Sequence, residues 1–315
     1  MIPGAALVTR FAADLDALVA PGEKVGIAVS GGPDSLALLL LAAAARPQLI
    51  EAASVDHGLR AEGRSEAEMV AKVCTQLGVR HAILNVTVAD GASLQAQARE
   101  ARYEALTQWA IERGLAAIAT AHHLDDQAET LLMRVARGSG VGGLVGIQPS
   151  RPLADGVQLV RPLLQWPREE LQRIVAEAGL DPVRDPSNED DRFDRTKVRD
   201  FLASTDWLDP ERLAQTAANA ADAQEALNWA AAQAFQYRAK REGDALILDP
   251  AGLPRELRRR LLLGAIVELG GDDPPGPQLM KTLEALDAGA TTTLAGLKLK
   301  GGSHWRLSPA PPRRR

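Results

Sequence analysis

The chain has 315 residues, 46% of them apolar and 24% charged, and carries a net charge of −5. That length allows two domains, and the absence of any run of about 18 apolar residues argues against a membrane-spanning helix. A single cysteine, Cys74, excludes an internal disulfide and a thiolate-rich zinc cluster, which fits a reducing, cytoplasmic setting.

The N-terminal stretch, with Asp14 and Asp16 among its apolar residues, reads as an amphipathic helix rather than a secretion signal. From VGIAVS onward, apolar strand-like runs alternate with helical patterns. LALLLLAAAA follows the first run; LIEAASVD precedes SEAEMVAKVCTQLG; VRHAILNVTV precedes SLQAQAREARYEALTQWAIERG; AAIATAHH precedes DDQAETLLMRVARG; and VQLVRPLL precedes PREELQRIVAEAGL. Strands apolar on both faces and separated by helices predict a doubly wound α/β domain with a mainly parallel, five-stranded sheet. This domain is expected to span residues 1–210.

DPVRDPSNEDDRFD, 181–194, is crowded with Pro, Asp and Asn and reads as a surface loop. An Ala-rich connecting helix is expected over 211–240 and a small α+β domain over 241–315, with Gly301-Gly302 marking a hairpin and a disordered basic tail at the end. Charge is uneven. From Pro254 to Arg315 there are 11 Lys or Arg against 6 Asp or Glu, a balance of +5 that leaves −10 for residues 1–253. Arg255, Arg258, Arg259, Lys298 and Lys300 in this basic end would suit phosphate contacts.

The chemistry concentrates after the first strand, in SGGPDS. Gly31 and Gly32 let backbone N–H groups approach an anion, the next helix adds partial positive charge, and Ser30 and Ser35 offer hydroxyls. Pro33 suits the helix's first turn. Asp34 would repel a phosphate unless a cation intervenes, and Mg²⁺ favours both kinds of oxygen. No lysine follows the glycines as in a P-loop NTPase. The G-x-G-x-x-G run at Gly138–Gly143 follows a helical pattern rather than a strand, so it is not a dinucleotide site.

SGGPDS at 30–35, VDHGLR at 55–60, REARY at 99–103, HHLDDQAET at 122–130, RGSGVGGL at 137–144, RPLL at 161–164 and DPSN at 185–188 together resemble the PP-loop (N-type) ATP pyrophosphatases, and within them the tRNA(Ile)-lysidine synthetase family. The resemblance covers most of residues 20–200. It implies ATP cleavage to AMP and pyrophosphate, activation of carbon 2 of the wobble cytidine of tRNA(Ile) with anticodon CAU, and displacement of AMP by free L-lysine. By the same resemblance Ser30–Ser35, Asp56 and His57 would bind ATP, with Asp34 as Mg²⁺ ligand.

Lysine or the intermediate would meet His123, Asp126, Glu129, Arg137, Arg195 and Arg199, with Asp126 or Glu129 as the possible base. Thr196 stands where many members carry Asn, which leaves the role of 195–199 open. In the family the C-terminal module helps grip tRNA. Alternatives are a tRNA thiolase, which one cysteine serves poorly, and a non-catalytic ATP-dependent RNA-binding protein. A homodimer is left open.

Overall fold

The computed structural model describes residues 2–56, 61–87, 94–183 and 194–310. His57, the DPSN run and the terminal arginines Arg313–Arg315 lie outside these. Contacts divide the chain into two compact units, Met1–Ala220 and Ala221–Arg315.

In the first unit α1 (Ala5–Asp16) leads into β1 (Val25–Ala28), α2 (Pro33–Ala45), β2 (Ile50–Asp56), α3 (Ala61–Leu77), β3 (Arg80–Asn85), α4 (Leu94–Arg113), β4 (Ala117–Ala119) and α5 (Leu124–Ala136). Then come α6 (Val141–Leu144), β5 (Ser150–Ala154), β6 (Val157–Val160), α7 (Arg168–Glu177) and α8 (Asp194–Ala203). The sheet order is β3-β2-β1-β4-β6-β5. The five predicted strands are all present and parallel; β5, which the sequence pattern did not single out, adds a sixth, antiparallel strand at the edge. It is joined to β6 by a tight turn in which Gly156 has φ +78°.

Every residue of β1 and β4 is buried, as continuous apolar strands between two helical layers must be. Helix α2 is apolar all round for the same reason. Residues Leu36 through Ala42 expose at most 1% because the sheet, α1 and α7 surround them. Trp166 closes this layer, with its ring under the Arg10 guanidinium and its indole N–H donated to Asp14 at 2.8 Å. On the other face Leu106, Trp109 and Ala110 of α4 pack on β1, β4 and β6.

Helix α9 (Pro210–Arg238) follows, and the division between units falls inside it. The second unit continues with β7 (Ala239–Glu242), β8 (Ala245–Leu248), α10 (Arg255–Glu268), α11 (Gly276–Asp287), β9 (Thr291–Leu294), β10 (Leu297–Lys300) and β11 (Trp305–Pro309). Its five strands form an antiparallel sheet in the order β7-β8-β11-β10-β9. The hairpin expected at Gly301-Gly302 joins β10 to β11. A second one turns at Ala295 and Gly296, φ +49° and +74°, where an alanine hides the signal. Trp305 is fully buried among Leu261, Leu283 and Leu307, so it belongs to this core rather than to a stacking surface.

Within the sheet, Gly26 of β1 leaves no room for a side chain. A Cβ there would lie 2.6 Å from Trp109 and 2.8 Å from Leu115 and Ile118. Gly26→Ala should therefore lower stability by about 1–3 kcal/mol through overpacking. Denaturant unfolding of the two proteins checks this.

Candidate active site

The parallel register Val25↔Ala117 aligns the carboxyl ends of β1 and β4, so the chain segments leaving them meet. Between them lies a cavity of about 530 Å³, within the range usual for ligand sites. Ser30, Gly32, Pro33, Asp34, Ser35, Asp56, Asp126 and Arg195 all line it.

The SGGPDS loop is stiffened from inside. Ser35 Oγ donates to the Gly32 carbonyl at 2.9 Å and accepts from the Ser30 N–H at 3.2 Å. Gly31 is buried and does not line the cavity. With φ +86° it turns the chain beneath Val183, whose N–H it receives at 2.9 Å. A Cβ at Gly31 would meet Val183 at 3.1 Å. Pro33 begins α2 and Asp34 occupies its first turn, where the helix dipole favours a carboxylate.

Asp34 Oδ1 is buried and accepts no hydrogen bond from the described residues, while Oδ2 lies 3.5 Å from His123 Nε2. His123, 3% exposed, caps α5 and touches two more carboxylates, Asp125 at 3.5 Å and Asp126 at 3.6 Å. Burial alone would push the imidazole down, but Asp125, Asp34 and Asp126 together raise its pKa to about 10. It is therefore a cation at neutral pH. Next to it His122 is held neutral: burial pushes it down to about 4, and its Nδ1 lies 3.1 Å from Thr120 Oγ1.

The four acids of the cluster are not equivalent. Asp125 accepts the backbone N–H of Arg168 at 2.9 Å and so anchors the start of α7. Although burial works against it, the His123 contact and this N–H hold its carboxyl below the usual range. Glu129 is 2% exposed and does not line the cavity. It receives Arg199 Nε at 2.8 Å and lies 2.9 Å from Arg195 Nε, a charge contact without hydrogen-bond alignment. Asp126 receives the His123 backbone N–H at 3.1 Å, sits 3.5 Å from Arg195, and faces the cavity.

Arg199 thus joins the cluster through Glu129 without lining the cavity. Arg137 does not line the cavity either. It caps the carboxyl end of the 13-residue α5, roughly 12–18 Å along the helix from the acids. The glycine run after it is pinned to α5 instead: Arg134 donates to the Gly143 and Gly146 carbonyls at 2.6 and 3.1 Å. Sequence reasoning gave no role to Arg102, Arg168, Ser54 or Glu66, which also line the cavity. Of these, only Arg102 falls inside a motif of the resemblance, REARY.

In the second unit the phosphate-binding candidates separate. Arg255 pairs with Glu284 at 3.1 Å, Arg258 with Asp287 at 2.7 Å, and Arg259 with Glu256 at 2.7 Å. Lys298 and Lys300 have no ion-pair partner among the described residues. They point outward from β10, opposite Ser308 and Arg306.

A family model described as a PP-loop domain matches residues 7–205. The tRNA(Ile)-lysidine synthase of Novosphingobium aromaticivorans is 46% identical over 97% of this chain and 94% of its own length. That of Zymomonas mobilis is 43% identical over 93% and 90%. Among solved structures, the U34-tRNA thiolase NcsA from Methanococcus maripaludis, which holds a [4Fe-4S] cluster, superposes with a TM-score of 0.58 at 19% identity, covering 70% of this chain and 80% of that one. That likeness is one of fold.

Glu129→Gln would leave two guanidiniums facing a neutral amide. Because Arg195 and Arg199 keep access to water, the expected loss is about 2–3 kcal/mol, below that of a fully buried pair. Unfolding titrations, with hydrogen exchange showing faster opening of α8, check this.

Proposed function

The chain belongs to the tRNA(Ile)-lysidine synthase family of PP-loop proteins, and we propose that it joins free L-lysine to carbon 2 of the wobble cytidine of tRNA(Ile) bearing the anticodon CAU. It is an ATP-using ligase. The observation that carries the reading is the cavity at the ends of β1 and β4, which offers an anion-binding loop on one wall and Asp126 on the other.

ATP lies against Ser30 and Gly32–Ser35, with Gly31 turning the loop from beneath, Asp56 at the nucleotide end and His57 assigned there from the sequence alone. Attack by the cytidine O2 on the α-phosphate releases pyrophosphate and leaves AMP on the base. The lysine side chain arrives as an ammonium, with an ordinary pKa of about 10.4. Asp126 holds it, and neutral His122 beside it adds no competing charge. Asp126 takes the ammonium's proton, the free amine forms the C–N bond at carbon 2, and AMP departs with the former O2. Arg195, on the cavity wall, offsets the phosphate charge of the intermediate.

Glu129 acts one step back. It holds Arg195 and, with Arg199, the start of α8. Arg137 stays outside this assignment because of its place at the far end of α5.

The unpartnered, buried Asp34 Oδ1 fits a divalent cation. Among the described residues no group of three His, Cys, Asp or Glu could hold a metal unaided, which suits an ion whose other ligands are phosphate oxygens. Mg²⁺ there would offset charge on the departing pyrophosphate.

For the tRNA body we favour Lys298 and Lys300 over the α10 arginines, whose charges are already matched by carboxylates. A thiolase reading finds no support in the sole cysteine: Cys74 is buried in α3, and burial raises its thiol to about 12. No helix among the described residues is long and apolar enough to cross a membrane. We assign the reaction to the cytoplasm, where its three substrates meet.

Purified protein with ATP, labelled lysine and a tRNA(Ile) CAU transcript should transfer label to the RNA, and changing the wobble cytidine to uridine should stop it. No transfer under conditions that release pyrophosphate would refute the reading. Asp34→Asn should slow pyrophosphate release by about 10²–10³-fold, the scale of one lost electrostatic contact in an active site. Asp126→Asn should raise the KM for lysine while sparing the KM for ATP.

A further inference from the structure

Most arginines with described contacts are matched by carboxylates. Arg46 meets Asp16, Arg113 meets Glu51, and Arg195 and Arg199 share Glu129. One group differs. Arg99 and Arg102 of α4, Arg151 of β5 and Arg161 after β6 form no ion pair with a carboxylate among the described residues, yet they gather around a single phenol.

The guanidinium carbons of Arg99 and Arg151 each lie 5.0 Å from the centre of the Tyr103 ring. Arg99 also donates to the Tyr103 hydroxyl at 3.3 Å. Arg161 is 6% exposed and gives one N–H to the Gln148 carbonyl, and its Nε is buried with no partner. Burial works against the charged state of both Arg102 and Arg161. Tyr103 partly offsets this, and the like charges of Arg99 and, for Arg161, Arg151 add to the cost. The ring face and phenol oxygen stand where a carboxylate would otherwise sit. They hold the cations together while occupying one donor of Arg99.

Two features of position give this cluster a direction. Arg102 lines the ATP cavity, whereas its neighbour Tyr103, with Arg99 and Arg151, lines a separate groove between α4 and β5. The cluster therefore runs from the cavity wall onto the outer surface. Glu100 and Glu104 also line the groove but form no ion pair with these arginines.

We propose that Arg99, Tyr103 and Arg151 form a seat for the phosphate backbone of single-stranded RNA next to the nucleotide being modified. The proposal rests on the function argued above. Carbon 2 of a cytidine can be reached only when the base is unstacked, so the RNA leading away from the cavity is unpaired near this wall. Arg99 and Arg151 are exposed and each spends one N–H inside the protein, on the Tyr103 hydroxyl and the Pro152 carbonyl; the donors that remain, at ring-held spacing, match phosphate oxygens, and the binding is sequence-independent.

The test is binding of a fluorescent anticodon stem-loop of tRNA(Ile) CAU, across a salt series, to the intact protein and to Arg99→Ser/Arg151→Ser. The double variant should bind roughly 10–100-fold more weakly, and the slope of log affinity against log salt should fall by about 1.4, the release expected for two single-strand phosphate contacts. Its affinity for ATP should not change. Tyr103→Phe should bind as the parent does, whereas Tyr103→Ala should resemble the double variant. Unaltered affinity and salt slope in the double variant would overturn this inference alone. Failure of the parent protein to bind the stem-loop would overturn both it and the reading of function.

Discussion

One buried imidazolium, His123, holds the active site together by answering carboxylates that would otherwise repel one another. Asp34 comes from the start of α2, Asp125 and Asp126 from the start of α5, and all three lie within 3.6 Å of the ring. Helix N-termini lend partial positive charge to the same place. The arrangement leaves distinct work for each acid. Asp125 fixes α7, Glu129 fixes α8 through two arginines, Asp126 faces the cavity, and Asp34 keeps one oxygen unclaimed.

The fold decides why these residues can meet. In the order β3-β2-β1-β4, β1 and β4 are neighbours although α2, β2, α3, β3 and α4 separate them in sequence. Parallel sheets place their ligand crevice at such a reversal of strand order, beyond the carboxyl ends. SGGPDS leaves β1 and HHLDD leaves β4, so the anion-binding loop and the acidic helix start face each other. The near-continuous burial of β1, β4 and α2 makes that juxtaposition rigid.

Much of this was legible in the sequence because its causes are local. Two-faced apolar strands separated by helices announce a parallel sheet, and Gly-Gly-Pro-Asp after a strand announces an anion-binding turn. What escaped was set by tertiary contacts. Strand β5 is partly exposed and contains Pro152, so no apolar run marks it. Glu129 reads like Asp126 in HHLDDQAET, yet helical phase buries one against α8 and turns the other to the cavity. Arg137 seemed close to the acids because it ends the same motif-bearing segment, but a helix places it at the opposite end. The α10 arginines looked available until their partners on α11, Glu284 and Asp287, came into view.

The unclaimed Asp34 oxygen is where a cation would join the carboxylate cluster to the triphosphate. A crystal grown with Mn²⁺ and a non-hydrolysable ATP analogue, examined by anomalous scattering, reads this directly. An anomalous peak is expected within coordination distance of Asp34 Oδ1 and of the analogue's phosphates, with His123 still in place. A bound analogue whose metal lies away from Asp34 would contradict it.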